Sequence, residues 1–105
     1  MSIQEKIKEI TDKIVKEYKP EKIILFGSWA WGKPGLDSDV DLFIVKEISG
    51  STRELARQID KSLFWRDVAL DLIVDKPKHI KERIQLGDPF FVKIINQGKI
   101  LYESK

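Results

Sequence analysis

What most constrains the fold of this 105-residue chain is the way its apolar residues change period. Ile3, Ile7, Ile10, Ile14 and Tyr18 recur at helical spacing behind a Ser2–Glu5 capping box. That pattern predicts a helix over Ile3–Tyr18, ended by Pro20. Lys22–Phe26 (KIILF) is then a short β-branched run that stops at Gly27, and Val40–Val45 (VDLFIV) is a second. Ser51 to Glu54 forms another capping box, opening a helix with Leu55, Ile59 and Leu63 on one face. A third strand is expected from Val68 to Val74 (VALDLIV). Pro77 starts a helix with Ile80 and Ile84 inward, ended near Gly87, and Asp88-Pro89 caps another that runs through Ile95 to Gly98. Ile100 to Tyr102 makes a last, edge strand. Helices alternating with short apolar strands imply an α/β or α+β class with a small sheet that is mostly buried.

Composition narrows the function classes. The chain is 42% hydrophobic and 34% charged, a globular balance, and without repeats or linkers it reads as one domain over 1–105. The net charge of +2 gives no bulk electrostatic argument for nucleic-acid binding. No cysteine is present, which excludes disulfides, thiolate chemistry and Cys-based zinc sites. The first residues read as a helix without an apolar signal core, and no apolar run approaches the roughly 20 residues of a membrane span. A cytoplasmic protein is expected, and the abundance of Lys and Glu leans towards a thermophilic source.

Chemistry concentrates between Leu25 and Val45, LFGSWAWGKPGLDSDVDLFIV. Gly27, Gly32 and Lys33 match the phosphate-binding pattern G-x-x-x-x-G-K. Pro34, however, stands where Ser or Thr must supply a hydroxyl to the metal, and proline resists the helix a P-loop opens. The P-loop is therefore rejected. The aspartates say more. Side chains alternate along a strand, so Asp39 and Asp41 share a face, opposite Val40 and Leu42. Two like charges there are costly to desolvate unless a cation sits between them. Oxygen-only ligands select hard ions, Mg²⁺ or Mn²⁺, and paired carboxylates build two-metal phosphoryl-transfer sites. Asp71 interrupts a third apolar run and can join them if its strand lies beside Val40–Val45. The ordinary alternative is an edge strand with Asp71 facing water, in line with Ala69 and Asp75.

Gly27-Ser28 supplies the other half of one site. A short helix through Trp31 begins there, and its free backbone N–H groups suit a phosphate that glycine lets approach closely. The alternative for Ser28 is a simple N-cap. Asp37 reads as a turn residue that shapes the loop. His79, the one histidine, lies on a Lys-rich helix and is assigned no chemistry. KPKHIKER reads as a solvated helix face rather than an RNA patch.

A strand ending in Gly27-Ser28, followed by Asp39-x-Asp41 in a second strand, resembles the nucleotidyltransferase superfamily that includes DNA polymerase beta. Length and the closing PFFVKIINQGKILYE are similar to its smallest branch, the minimal nucleotidyltransferases paired with HEPN-domain proteins. The resemblance implies a polymerase beta palm-like fold, a small mixed sheet flanked by helices. It implies transfer of a nucleoside monophosphate, AMP from ATP, to a hydroxyl, with release of pyrophosphate and two bound Mg²⁺ or Mn²⁺ ions. Asp39, Asp41 and Asp71 would be the catalytic and metal-binding residues, and Gly27, Ser28 and Lys33 would bind the nucleotide. In its toxin–antitoxin members the domain is an antitoxin that adenylylates a tyrosine of its HEPN ribonuclease partner. One departure stands out: family members commonly carry arginines after Gly-Ser, where this chain has Trp29 and Trp31. Those tryptophans either pack against the core or present a surface to a partner or a base.

Three functions follow as expectations. The first is an enzyme that modifies a partner protein, the second an antitoxin that neutralises its partner by occlusion with a vestigial site. The third, an RNA-modifying nucleotidyltransferase, is disfavoured by the weak basic charge. No membrane partner is expected, and a homo-oligomer stays open.

Overall fold

The computed structural model describes residues 2–35 and 38–105. Helix α1 (Ile3–Tyr18) starts where the capping box puts it. Glu5 N–H donates to Ser2 Oγ at 3.1 Å, and the Ser2 hydroxyl donates to Glu5 Oε1 at 3.1 Å. Its end is made by Lys19, which turns into the left-handed conformation (φ 48°) and donates its N–H to Val15 O, ahead of a buried Pro20. Ile7, Ile10 and Ile14 form the inward stripe, and the one polar group in it, Thr11, is satisfied by donating to Ile7 O at 2.7 Å.

Strand β1 (Lys22–Phe26), helix α2 (Ser28–Trp31), strand β2 (Val40–Val45) and helix α3 (Thr52–Ser62) follow. Strand β3 (Leu70–Asp75), helices α4 (Pro77–Gln85) and α5 (Pro89–Gln97) and strand β4 (Lys99–Glu103) complete the described order. The strands form one mixed sheet in the order β3-β2-β1-β4. β1 pairs antiparallel with β2 and with β4, whereas β2 and β3 run parallel, joined through α3. A parallel pair needs such a crossover because a tight turn cannot reverse the chain twice.

Alternation along the strands gives the sheet two apolar faces. Ile23, Leu25, Val40, Leu42, Ile44 and Val74 pack against Ile7, Ile10 and Ile14 of α1 and Ile59 and Leu63 of α3. Ile24, Phe26, Phe43 and Val45 pack against Ile80 of α4 and Ile94 of α5. Each fully buried Ile or Leu stabilises by about 1.5–3 kcal/mol, so both helical layers are needed to close the core. The sheet is covered on both faces, as α/β patterning requires.

Two strands differ in their bounds from the sequence expectation: β4 runs Lys99–Glu103 rather than Ile100–Tyr102, and the start of β3 moves further. β3 starts at Leu70, not Val68, because Arg66 ties down the approach. Its guanidinium donates to Val68 O (3.2 Å), Asp60 O (2.8 Å) and Leu63 O (3.0 Å) and pairs with Asp60 Oδ1 (2.6 Å). Val68 still packs against the core, but as the end of a turn. Among the described residues no helix is long and apolar enough to cross a membrane.

Candidate active site

Parallel pairing of β2 with β3 sets Asp41 directly beside Asp71, as Cα partners on adjacent strands. Both lie on the face that carries Phe43, Ile73 and helices α4 and α5, near the strands' N-terminal ends. Asp39 lies just outside: β2 starts at Val40, so Asp39 belongs to the loop entering it and is exposed. The expected strand alternation of Asp39 and Asp41 therefore applies only at the strand's entry. Asp71 sits on the edge strand and is exposed, as its ordinary alternative held, yet it is also the strand neighbour of Asp41.

Asp41 is the electrostatic centre of the group. Partial burial raises its carboxyl above the usual carboxylate range, and the negative charges of Asp71 and then Asp39 push it the same way. The loop before β2 is anchored by Trp29, whose indole Nε1–H donates to Ser38 O at 3.2 Å. The hydroxyl of Ser38 accepts from Gly35 N–H at 2.8 Å. Asp37, read as a turn residue, lies outside the described residues.

Gly27 completes the contact. It has φ 74° and ψ −157°, a combination that side chains essentially never adopt. A Cβ at this position would overlap Asp41 Oδ2 and stand 3.0 Å from Asp41 Cγ. The absent side chain is thus the space that the Asp41 carboxylate fills. Gly27, not Ser28, occupies the N-cap of α2, so the simple-cap alternative for Ser28 does not hold. Ser28 is the first helical residue, and its Oγ makes no hydrogen bond among the described residues. The single turn of α2 closes on Gly27 O, which accepts from the N–H groups of Ala30 and Trp31, before Gly32 ends it. This short turn, followed by an exposed Lys33, is no P-loop helix.

The two tryptophans take the packing role. Trp29 lies against the α1–α3 core, while Trp31 lies against the other face, 6.3 Å from the ring of Phe26. His79 is exposed, as expected of a solvated helix face, and its Nδ1 lies 2.8 Å from Asp75 Oδ2 while its ring meets Phe91 edge-on. Asp75 is four residues beyond Asp71 on β3, so His79 is about 13 Å along the strand from the carboxylate group.

Among the described residues, no three His, Cys, Asp or Glu side chains are gathered closely enough to hold a metal ion as they stand. In kind, the donors of Asp39, Asp41 and Asp71 fit a hard divalent cation. They are all carboxylate oxygens, and the mutual repulsion that raises Asp41 is what a bound cation removes.

One set of neighbours escaped the sequence. Phe26 is the strand partner of Asp41, and Phe90, in the first turn of α5, stacks edge-to-face on Phe26 at 5.8 Å. The start of α5 is fixed by Asp88, which accepts from Phe90 N–H (3.0 Å) and is itself held by Arg83 Nη2 (2.6 Å). Asp88-Pro89 signalled a helix start, but nothing local said that this start would lie beside the carboxylates.

Residues 5–105 match the family described as polymerase beta, nucleotidyltransferase. A candidate protein adenylyltransferase of Methanocaldococcus jannaschii is 29% identical over 107 residues, which cover 97% of this chain and 100% of that protein. A solved candidate nucleotidyltransferase of Sulfolobus solfataricus has a TM-score of 0.65 at 18% identity, over 94% of this chain and 78% of that one. A toxin–antitoxin complex crystallised with AMP-PNP has a TM-score of 0.58 at 21% identity, over 93% of this chain and 74% of that one. The structural likenesses establish the fold, and the family match spans all but the first four residues: this chain belongs to the polymerase beta nucleotidyltransferase family.

Proposed function

We propose that this protein transfers AMP from ATP to a hydroxyl of a partner protein, and that it does so as the antitoxin of a HEPN-domain toxin. The observation that carries the transfer reaction is the registered pair Asp41–Asp71 against the side-chain-free surface of Gly27. Asp39 and Asp41 would hold two Mg²⁺ or Mn²⁺ ions, and Asp71 would share one of them. Bound there, the ions would supply charge stabilisation to the α-phosphate and to the leaving pyrophosphate. Gly27 and Ser28 would hold the polyphosphate through backbone N–H groups and the Ser28 hydroxyl, with Lys33 as an adjacent cation. The acceptor oxygen attacks the α-phosphorus in line, the bond from that phosphorus to the bridging oxygen breaks, and pyrophosphate leaves with its electron pair. The acceptor's proton passes to the Asp71 carboxylate. The M. jannaschii relative's description as a protein adenylyltransferase, and a neighbour's presence in a toxin–antitoxin complex, support protein as the acceptor.

The test is incubation with α-labelled ATP, Mg²⁺ and lysate of the source, beside the Asp39→Ala/Asp41→Ala variant. A labelled band with wild type alone is expected, and its mass identifies the acceptor. Label transfer by the folded double variant would remove these residues from the reaction. A second reading, an antitoxin acting by occlusion alone, is favoured by Trp29 and Trp31 standing where the family commonly has arginines. It predicts inhibition of the partner without ATP.

A further inference from the structure

The segment after Gly27-Ser28 offers an anionic ligand one cation, Lys33, before the chain reaches Pro34. The fold brings a second from a distant part of the sequence. Lys93, on the exposed side of α5, places its Nζ 4.7 Å from the centroid of the Trp31 ring. Trp31 packs on Phe26, Phe26 is the strand partner of Asp41, and Phe90 closes on Phe26 from the first turn of α5. Trp31, Phe26 and Phe90 thus form one aromatic run between α2 and α5, on the sheet face of Asp41 and Asp71. Lys93 makes no ion pair among the described residues, so its charge is not consumed within the fold. A ring face holds an ammonium by its field alone and leaves the N–H donors free for an anion. Lys93 makes no ion pair with Asp41, Asp71 or Asp39 among the described residues.

We propose that Lys93, held over Trp31, meets the terminal phosphates of the nucleoside triphosphate whose α-phosphate lies at Asp39, Asp41 and Asp71. Trp31 thereby positions a cation from α5 beside the turn that follows Gly27-Ser28. This rests on the nucleotidyltransferase function proposed above. Equilibrium binding of ATP and of AMP tests it, by calorimetry with Mg²⁺ and without acceptor, on wild type, Lys93→Met, Lys93→Gln and Lys93→Arg.

Loss of one charge-assisted hydrogen bond weakens ATP binding about tenfold in Lys93→Met and Lys93→Gln. AMP, which lacks the terminal phosphates, binds all four proteins alike, and Lys93→Arg keeps ATP affinity within about threefold. Unchanged ATP affinity in Lys93→Met overturns the proposal, as does an equal loss for ATP and AMP, which marks a packing defect or a base contact. Wild type that fails to bind ATP overturns the nucleotidyltransferase function as well. Wild type that binds while Lys93→Met binds equally overturns Lys93 alone. Because Lys93 is exposed, all three variants are expected to unfold with wild-type Tm.

Discussion

Replacing Gly27 by alanine attacks the site and the fold at one atom. Two penalties add. The backbone at φ 74° and ψ −157° lies in a region that only glycine occupies comfortably, where a side chain costs about 1–3 kcal/mol. The added methyl also overlaps Asp41 Oδ2, and forcing that carboxylate aside is an overpacking of about 1–3 kcal/mol. Gly27→Ala is therefore expected to lose about 4 kcal/mol, a large share of the roughly 5–15 kcal/mol that stabilises an ordinary domain. A double-mutant cycle separates the two. In an Asp41→Ala background the overlapping oxygen is gone and the Asp41 Cβ remains at 3.4 Å, an ordinary contact, so only the backbone penalty of about 2 kcal/mol persists. The coupling energy between the positions is then about 2 kcal/mol. Urea unfolding of the four proteins, with m-values checked for constancy, measures it. Equal losses in the two backgrounds would refute the contact between Gly27 and Asp41, and a loss below about 1 kcal/mol would refute the backbone strain as well.

Two further outcomes follow from the same group of residues. Asp41→Asn is expected to stabilise the protein at neutral pH. Burial and the charges of Asp71 and Asp39 raise the folded carboxyl above its ordinary value of 3.8, so the folded state holds its proton more tightly than the unfolded chain. Wild-type stability relative to the variant falls as pH rises from about 3.8 through the raised value; urea unfolding at pH 3 and pH 7 must show the Asn advantage only at the higher pH. Trp29→Phe removes the donor to Ser38 O and part of the ring packed on the core, and should cost about 1–3 kcal/mol in urea unfolding. By loosening the loop that carries Asp39, it should also slow label transfer more than it weakens ATP binding.

Local chemistry wrote the elements of this protein into its sequence. Ser2, Ser51, Asp88, Pro77 and Pro89 mark helix starts because the orphan N–H groups of a first turn need an acceptor or a proline. The apolar periods fix the inward faces, so every helix and strand is found within a few residues of its expected place. Val68 missed because a strand's start is set by its partner and, here, by Arg66, neither of which a local period encodes. Asp41 and Asp71 stood out on sequence grounds alone, as carboxylates inside apolar runs. That they meet was decided by the parallel register of β2 with β3, a pairing across a helix-length crossover that no short-range pattern specifies. The same holds for Lys93 over Trp31 and Phe90 beside Phe26: residues far apart in the chain, joined by the packing of α5 on the sheet. Sequence determined which groups were available and which element each would ride on. Tertiary structure decided which of them share a face, because side chains from separate elements interact only once the core has fixed the elements against one another.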